Sequence, residues 1–153
     1  MKSKLLNILK PKTNKEIFKC LEKYSNDELL QKSANIGFIE GVRIALKNGA
    51  DVNINDGSPL RVSSYDGYYQ VVKLLLKKGA NVQTNNNYPL RVASYCNHIK
   101  IVKLLIDVGA DVNVFDNESL LWTKCQGHDE VVTILIRARK KLKHKEFINE
   151  NSK

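Results

Sequence analysis

The strongest constraint on this chain is that it repeats itself every thirty residues. Residues 58–87 read SPLRVSSYDGYYQVVKLLLKKGANVQTNNN, and residues 88–117 read YPLRVASYCNHIKIVKLLIDVGADVNVFDN. Pro59 returns as Pro89, Leu60 as Leu90, Leu75 as Leu105, and Gly79-Ala80 as Gly109-Ala110. A period of this length, kept this faithfully, marks stacked supersecondary units that bury a shared core. Such an architecture displays a surface and seldom performs chemistry.

Adding thirty extends the register in both directions. Leu30, Leu60, Leu90 and Leu120 coincide, as do the small residues Ser33, Ser63, Ala93 and Thr123. Gly37, Gly67, Asn97 and Gly127 mark a turn, because Gly and Asn tolerate positive φ. Val42, Val72, Val102 and Val132 follow, then the helix-ending Gly49, Gly79 and Gly109, with Arg139 in the fourth copy. Four repeats are therefore expected, at 28–57, 58–87, 88–117 and 118–147. Residues 1–27 form an N-terminal segment with a capping helix, and 148–153 a tail.

Each repeat reads as a short helix, a turn and a longer helix. Pro59 suits a first helical turn, where its missing N–H has no intrahelical partner. The second helix runs from about Tyr69 to Lys78, with more than one apolar face because neighbours cover it on both sides. An extended polar link such as Ala80–Asn87 follows. Before the repeats, Thr13 with Glu16 fits a capping box, and Ser25-Asn26-Asp27 supplies caps for the next helix. After them, loss of the terminal Gly lets the last helix run toward Phe147, with basic final turns facing the negative end of its dipole.

These residues resemble the ankyrin repeat, whose period is about 33 residues and whose motif is T-P-L-H-x-A. Ser58-Pro59-Leu60-Arg61-Val62-Ser63 and Tyr88-Pro89-Leu90-Arg91-Val92-Ala93 occupy the motif. Gly79-Ala80-Asn81-Val82 and Gly109-Ala110-Asp111-Val112-Asn113 match its exit. The resemblance covers about residues 28–138 and implies an all-α ankyrin solenoid. Two departures stand out. The period is about three residues short, so the family's protruding hairpins shrink to tight turns. The motif His is replaced by Arg61, Arg91 and Leu121, and an Arg there either reaches a nearby carbonyl or points to solvent. The short period and the Lys, Asn and Ile bias are also similar to short ankyrin proteins of amoeba-infecting giant DNA viruses.

The resemblance implies a non-enzymatic module that binds a protein partner, and the viral likeness implies a host protein. The positions that face the concave groove in such proteins are Asn35, Ile36, Tyr65, Asp66, Tyr95, Cys96, Cys125 and Gln126. Tyr offers large contact area at low entropic cost. The link tips Asn55-Asp56, Asn85-Asn86-Asn87 and Phe115-Asp116-Asn117 form a second candidate strip, in which Phe115 needs either a packing partner or a ligand.

Other features are expected to be structural. His98 and His128 share one register position and read as turn residues, and Trp122 reads as a plug at the end of the core. No constellation of nucleophile and base can be argued from position. Cys96 and Cys125 are too sparse for a zinc site, no phosphate loop occurs, and no cofactor is expected. The net charge of +9 permits electrostatic binding to nucleic acid or an anionic membrane as an alternative. Lysine supplies 20 of the 25 basic residues, and it lacks the arginine fork that nucleic-acid readers use. Three widely spaced cysteines imply reduced thiols. The reading is of a soluble intracellular protein of the host cytoplasm, with the nucleus as alternative if Arg137–Lys145 acts as a localisation signal rather than a cap.

Overall fold

A computed structural model describes residues 23–114 and 117–150. The capping box at Thr13, the helix built on it and Phe115 lie outside the described residues. Within them the chain is a row of helix pairs. The first pair is α1 (Asn26–Asn35) and α2 (Ile39–Lys47). The second is α3 (Ile54–Tyr65) and α4 (Tyr69–Lys77), and the third α5 (Thr84–Tyr95) and α6 (Ile99–Asp107). A short 3-10 turn, Val112–Val114, leads to α7 (Asn117–Cys125) and α8 (Asp129–Glu150).

The first helices α1, α3 and α5 pack side by side as one layer, and α2, α4, α6 and α8 as the other. The core runs unbroken between them through Leu30, Leu60 and Leu90 in one layer, and Val42, Val72, Leu75, Val102, Leu105 and Leu135 in the other. Leu60, Leu75, Leu90 and Leu105 are fully buried. Burying one Leu contributes about 1.5–3 kcal/mol, so a chain with one or two buried leucines in every helix but α2 gains stability by stacking.

Local sequence sets the helix ends. Ser25 caps α1, accepting from the Glu28 N–H while the Glu28 carboxylate accepts from the Ser25 N–H. The bonds from the Ser25 backbone and then its hydroxyl hold the Glu28 carboxyl below its usual range. Arg139, standing where the earlier repeats have Gly, donates from Nε to the Val112 carbonyl at 3.2 Å, and α8 continues through it to Glu150.

The links differ from their extended expectation. After Gly79 the chain coils instead of extending: Thr84 N–H donates to the Asn81 carbonyl, and Asn87 N–H to Gln83. Asn85, Asn86 and Asn87 then form a left-handed turn, with φ of 47°, 55° and 55°. Asn55, Asp56 and Gly57 do the same before Pro59. The right-handed part of α3 starts only after Gly57, close to the expected start. Asn, Asp and Gly are the residues that tolerate this region, so the asparagine surplus has a conformational use here. Side chains tie each link to the next repeat. Asn53 Oδ1 accepts the Asn81 N–H at 2.8 Å, Asn87 Oδ1 accepts the Asp111 N–H at 2.9 Å, and Thr84 Oγ1 donates to the Asp56 carbonyl at 2.7 Å. Asn87 is buried, which makes that end of the link structural and leaves Asn85 and Asn86 at the surface.

Candidate protein-binding surface

The last residue of each first helix forms one exposed row: Asn35, Tyr65, Tyr95 and Cys125. Tyr65 is 53% exposed and Tyr95 59%. The reason is geometric. Leu60, Ser63 and Ser64 point inward from α3, and residue 65 falls on the opposite side of the helix. The two tyrosines are large side chains that repeat exposed at one register position, and stacking does not use them.

A second contact orients the row. His98 Nε2 lies 2.8 Å from the Tyr65 carbonyl. A carbonyl only accepts, so Nε2 carries the proton. The imidazole also lies against Gly67: a Cβ there would come within 2.5 Å of the His98 ring, and Gly67 has φ of +79°. His98 is thus the structural turn residue expected from its register, and it fixes the end of α3 where Tyr65 stands. Tyr68 makes the same approach to Gly37 one repeat earlier.

The adjoining column is less accessible. Ile36 is buried, Asp66 and Cys96 are half-buried, and Gln126 is exposed. Ile36 therefore offers little surface to a partner. Burial pushes the Cys96 thiol up, and the nearby Asp66 carboxylate pushes it further, so it favours the unreactive protonated form.

Sequence reasoning left out the residues one helical turn earlier. Arg61, Arg91 and Leu121 stand four positions before Tyr65, Tyr95 and Cys125, on the same helix face. Arg91 and Leu121 are exposed. Arg61 takes neither of the two routes considered from sequence. Its guanidinium reaches Asp56 at 3.8 Å and lies 5.8 Å from the centre of the Tyr88 ring, bridging α3 to α5. The i, i+4 spacing from the tyrosines was the available signal.

Among the described residues no group of three or more His, Cys, Asp or Glu could hold a metal ion. No helix among them is long and apolar enough to cross a membrane.

The family model for ankyrin repeats (3 copies) matches residues 3–86 and 29–116. The chain belongs to the ankyrin-repeat family. Ankyrin repeats are generally protein–protein interaction modules, and the family is typically non-enzymatic. No curated protein matches this ankyrin chain.

Proposed function

We propose that this ankyrin protein binds a protein partner across the exposed row of its first helices, the concave groove of the family. Tyr65 and Tyr95 are the central contacts, flanked by Asn35 and Cys125. Asp66, Cys96 and Gln126 border them. The observation that carries the reading is the pair of tyrosines, each more than half exposed and held at the same position of adjacent helices. The helices beneath are fixed by the core before any partner arrives, so little ordering entropy opposes association. A host protein as that partner rests on the likeness to viral ankyrin proteins and on composition.

The test is to recover the partner by affinity capture and mass spectrometry, then measure its binding to Tyr65→Ala/Tyr95→Ala. Interface tyrosines that act as anchors contribute about 2 kcal/mol or more each, so binding should fall at least about thirtyfold with the thermal midpoint nearly unchanged. Unaltered binding by the folded variant removes the groove as the site.

A second reading is electrostatic. Arg43, Lys47, Lys73, Lys77 and Lys103 project exposed from α2, α4 and α6 on the other layer. Two of them already have partners, Arg43 with Glu40 at 3.4 Å and Lys103 with Glu130 at 3.0 Å. Binding of nucleic acid there would weaken steeply with salt, and a gel shift at low salt that shows no retardation excludes it.

A further inference from the structure

The last helix outgrows the stack, and its charge is one-sided. α8 has 22 residues where α4 and α6 have 9 each, which makes it about 20 Å longer. From Val131 to Lys145 the sequence holds no acid. Over 137–150 six Lys and Arg residues stand against Glu146 and Glu150, a net charge of +4 with His144 neutral. From Lys140 onward every described side chain of the helix is exposed.

The two sides of α8 differ. Val131, Leu135 and Ala138 turn toward the core. At the helical advance of about 100° per residue, the outer side carries Arg137, Lys140, Lys141 and Lys143 together with Ile136, Phe147 and Ile148. All four cations are exposed, and so are the apolar three, at 40%, 64% and 49%. Among the described residues none of these four cations has an ion-pair partner. The cations of α2 and α6 are placed differently, since Arg43 pairs with Glu40 and Lys103 with Glu130. Asp129 and Glu130 belong to the first turn of α8, about 10 Å along the axis from Arg137.

Unpaired cations select an anionic surface, and the apolar side chains among them select which kind. Nucleic acid would bind the cations and leave Ile136, Phe147 and Ile148 in water. The boundary of an anionic bilayer takes both: ammonium and guanidinium groups reach the headgroup phosphates, while their alkyl stems and the apolar side chains settle just below. We propose that the outer side of α8 is a peripheral docking face for an anionic membrane surface. The helix lies along the bilayer without crossing it. Tyr65 and Tyr95 end helices of the other layer, so the partner row stays open on a docked molecule.

Co-sedimentation of the full chain with vesicles tests the proposal, using phosphatidylcholine with and without about one-third phosphatidylserine. The chain should bind the vesicles that contain phosphatidylserine, less so as salt rises, and leave the neutral ones in the supernatant. Lys140→Glu/Lys141→Glu/Lys143→Glu should weaken binding about a hundredfold, since each cation near such a surface contributes about fivefold. Phe147→Ser should weaken it about tenfold. All of these positions are exposed, so far-UV circular dichroism should stay unchanged. A chain that ignores both kinds of vesicle, binds them equally, or is indifferent to the triple charge reversal overturns the proposal. Unaltered binding by Phe147→Ser, or retention of a labelled duplex oligonucleotide through the same lysines without any binding to vesicles, overturns lipid as the occupant. Tyr65→Ala/Tyr95→Ala should bind vesicles as the wild type does, so this test and that of the partner groove fail independently.

Discussion

The third and fourth repeats carry the same helix pair in opposite circumstances. The third has a neighbour on each side, and its Leu90, Val102 and Leu105 are fully buried. Among the described residues the fourth has a neighbour on one side. Its Leu120 keeps 9% exposure, and Leu121 and Ile136 reach solvent. Leu90 and Val102 return as Leu120 and Val132, and both are more exposed in the fourth repeat, so at those positions the contrast is one of context. In a stacked protein, a side chain's contribution depends on how many repeats cover it.

The sharpest way to break that comparison is at the matching leucines. Leu90→Ala should cost about 3–4 kcal/mol and Leu120→Ala about 1–2 kcal/mol, since an interior cavity cannot relax and an end site can. Denaturant unfolding measures both, and equal losses would mean that position in the stack is irrelevant. A second pair lies at the turns. Gly67 and Gly127 have nearly the same φ, +79° and +78°, but only Gly67 has a ring against it. Gly127→Ala should therefore show backbone strain alone, about 1 kcal/mol. Gly67→Ala should lose about 2–3 kcal/mol, because His98 must also move. His98→Ala should cost about 1–2 kcal/mol through its bond to the Tyr65 carbonyl, and it should speed amide exchange at the end of α3. The smallest effect belongs to the exposed Lys103–Glu130 bridge between the two repeats. Lys103→Gln should change stability by less than about 1 kcal/mol, and by less still in high salt.

Much of the fold was legible because stacking forces repetition. The period located the helix pairs, Pro59 and Ser25 located helix starts, and Arg139 correctly signalled an uninterrupted last helix. The links were not legible in the same way. Ala80–Asn87 is polar and rich in turn residues, which fits an extended segment and a coiled one equally. Three consecutive residues in the left-handed region are favourable only because Asn53, Thr84 and Asn87 bind backbone groups of the neighbouring repeat. Those contacts are far apart in sequence. The candidate surface divided similarly. Tyr65 and Tyr95 could be identified from register, but Ile36 occupies the same column as Asp66 and Gln126 and is buried. Burial there depends on what the adjoining helices bring against it.

By itself the sequence determined the period, the helix pairs, the all-α class and the residues that must face the core. A thirty-residue register aligns every copy's Leu, Val and small residues, and a single helix pair cannot bury them. Only the tertiary structure decided how the links coil, where Arg61 reaches and which surfaces stay open. These depend on contacts between repeats, and no window of local sequence contains them.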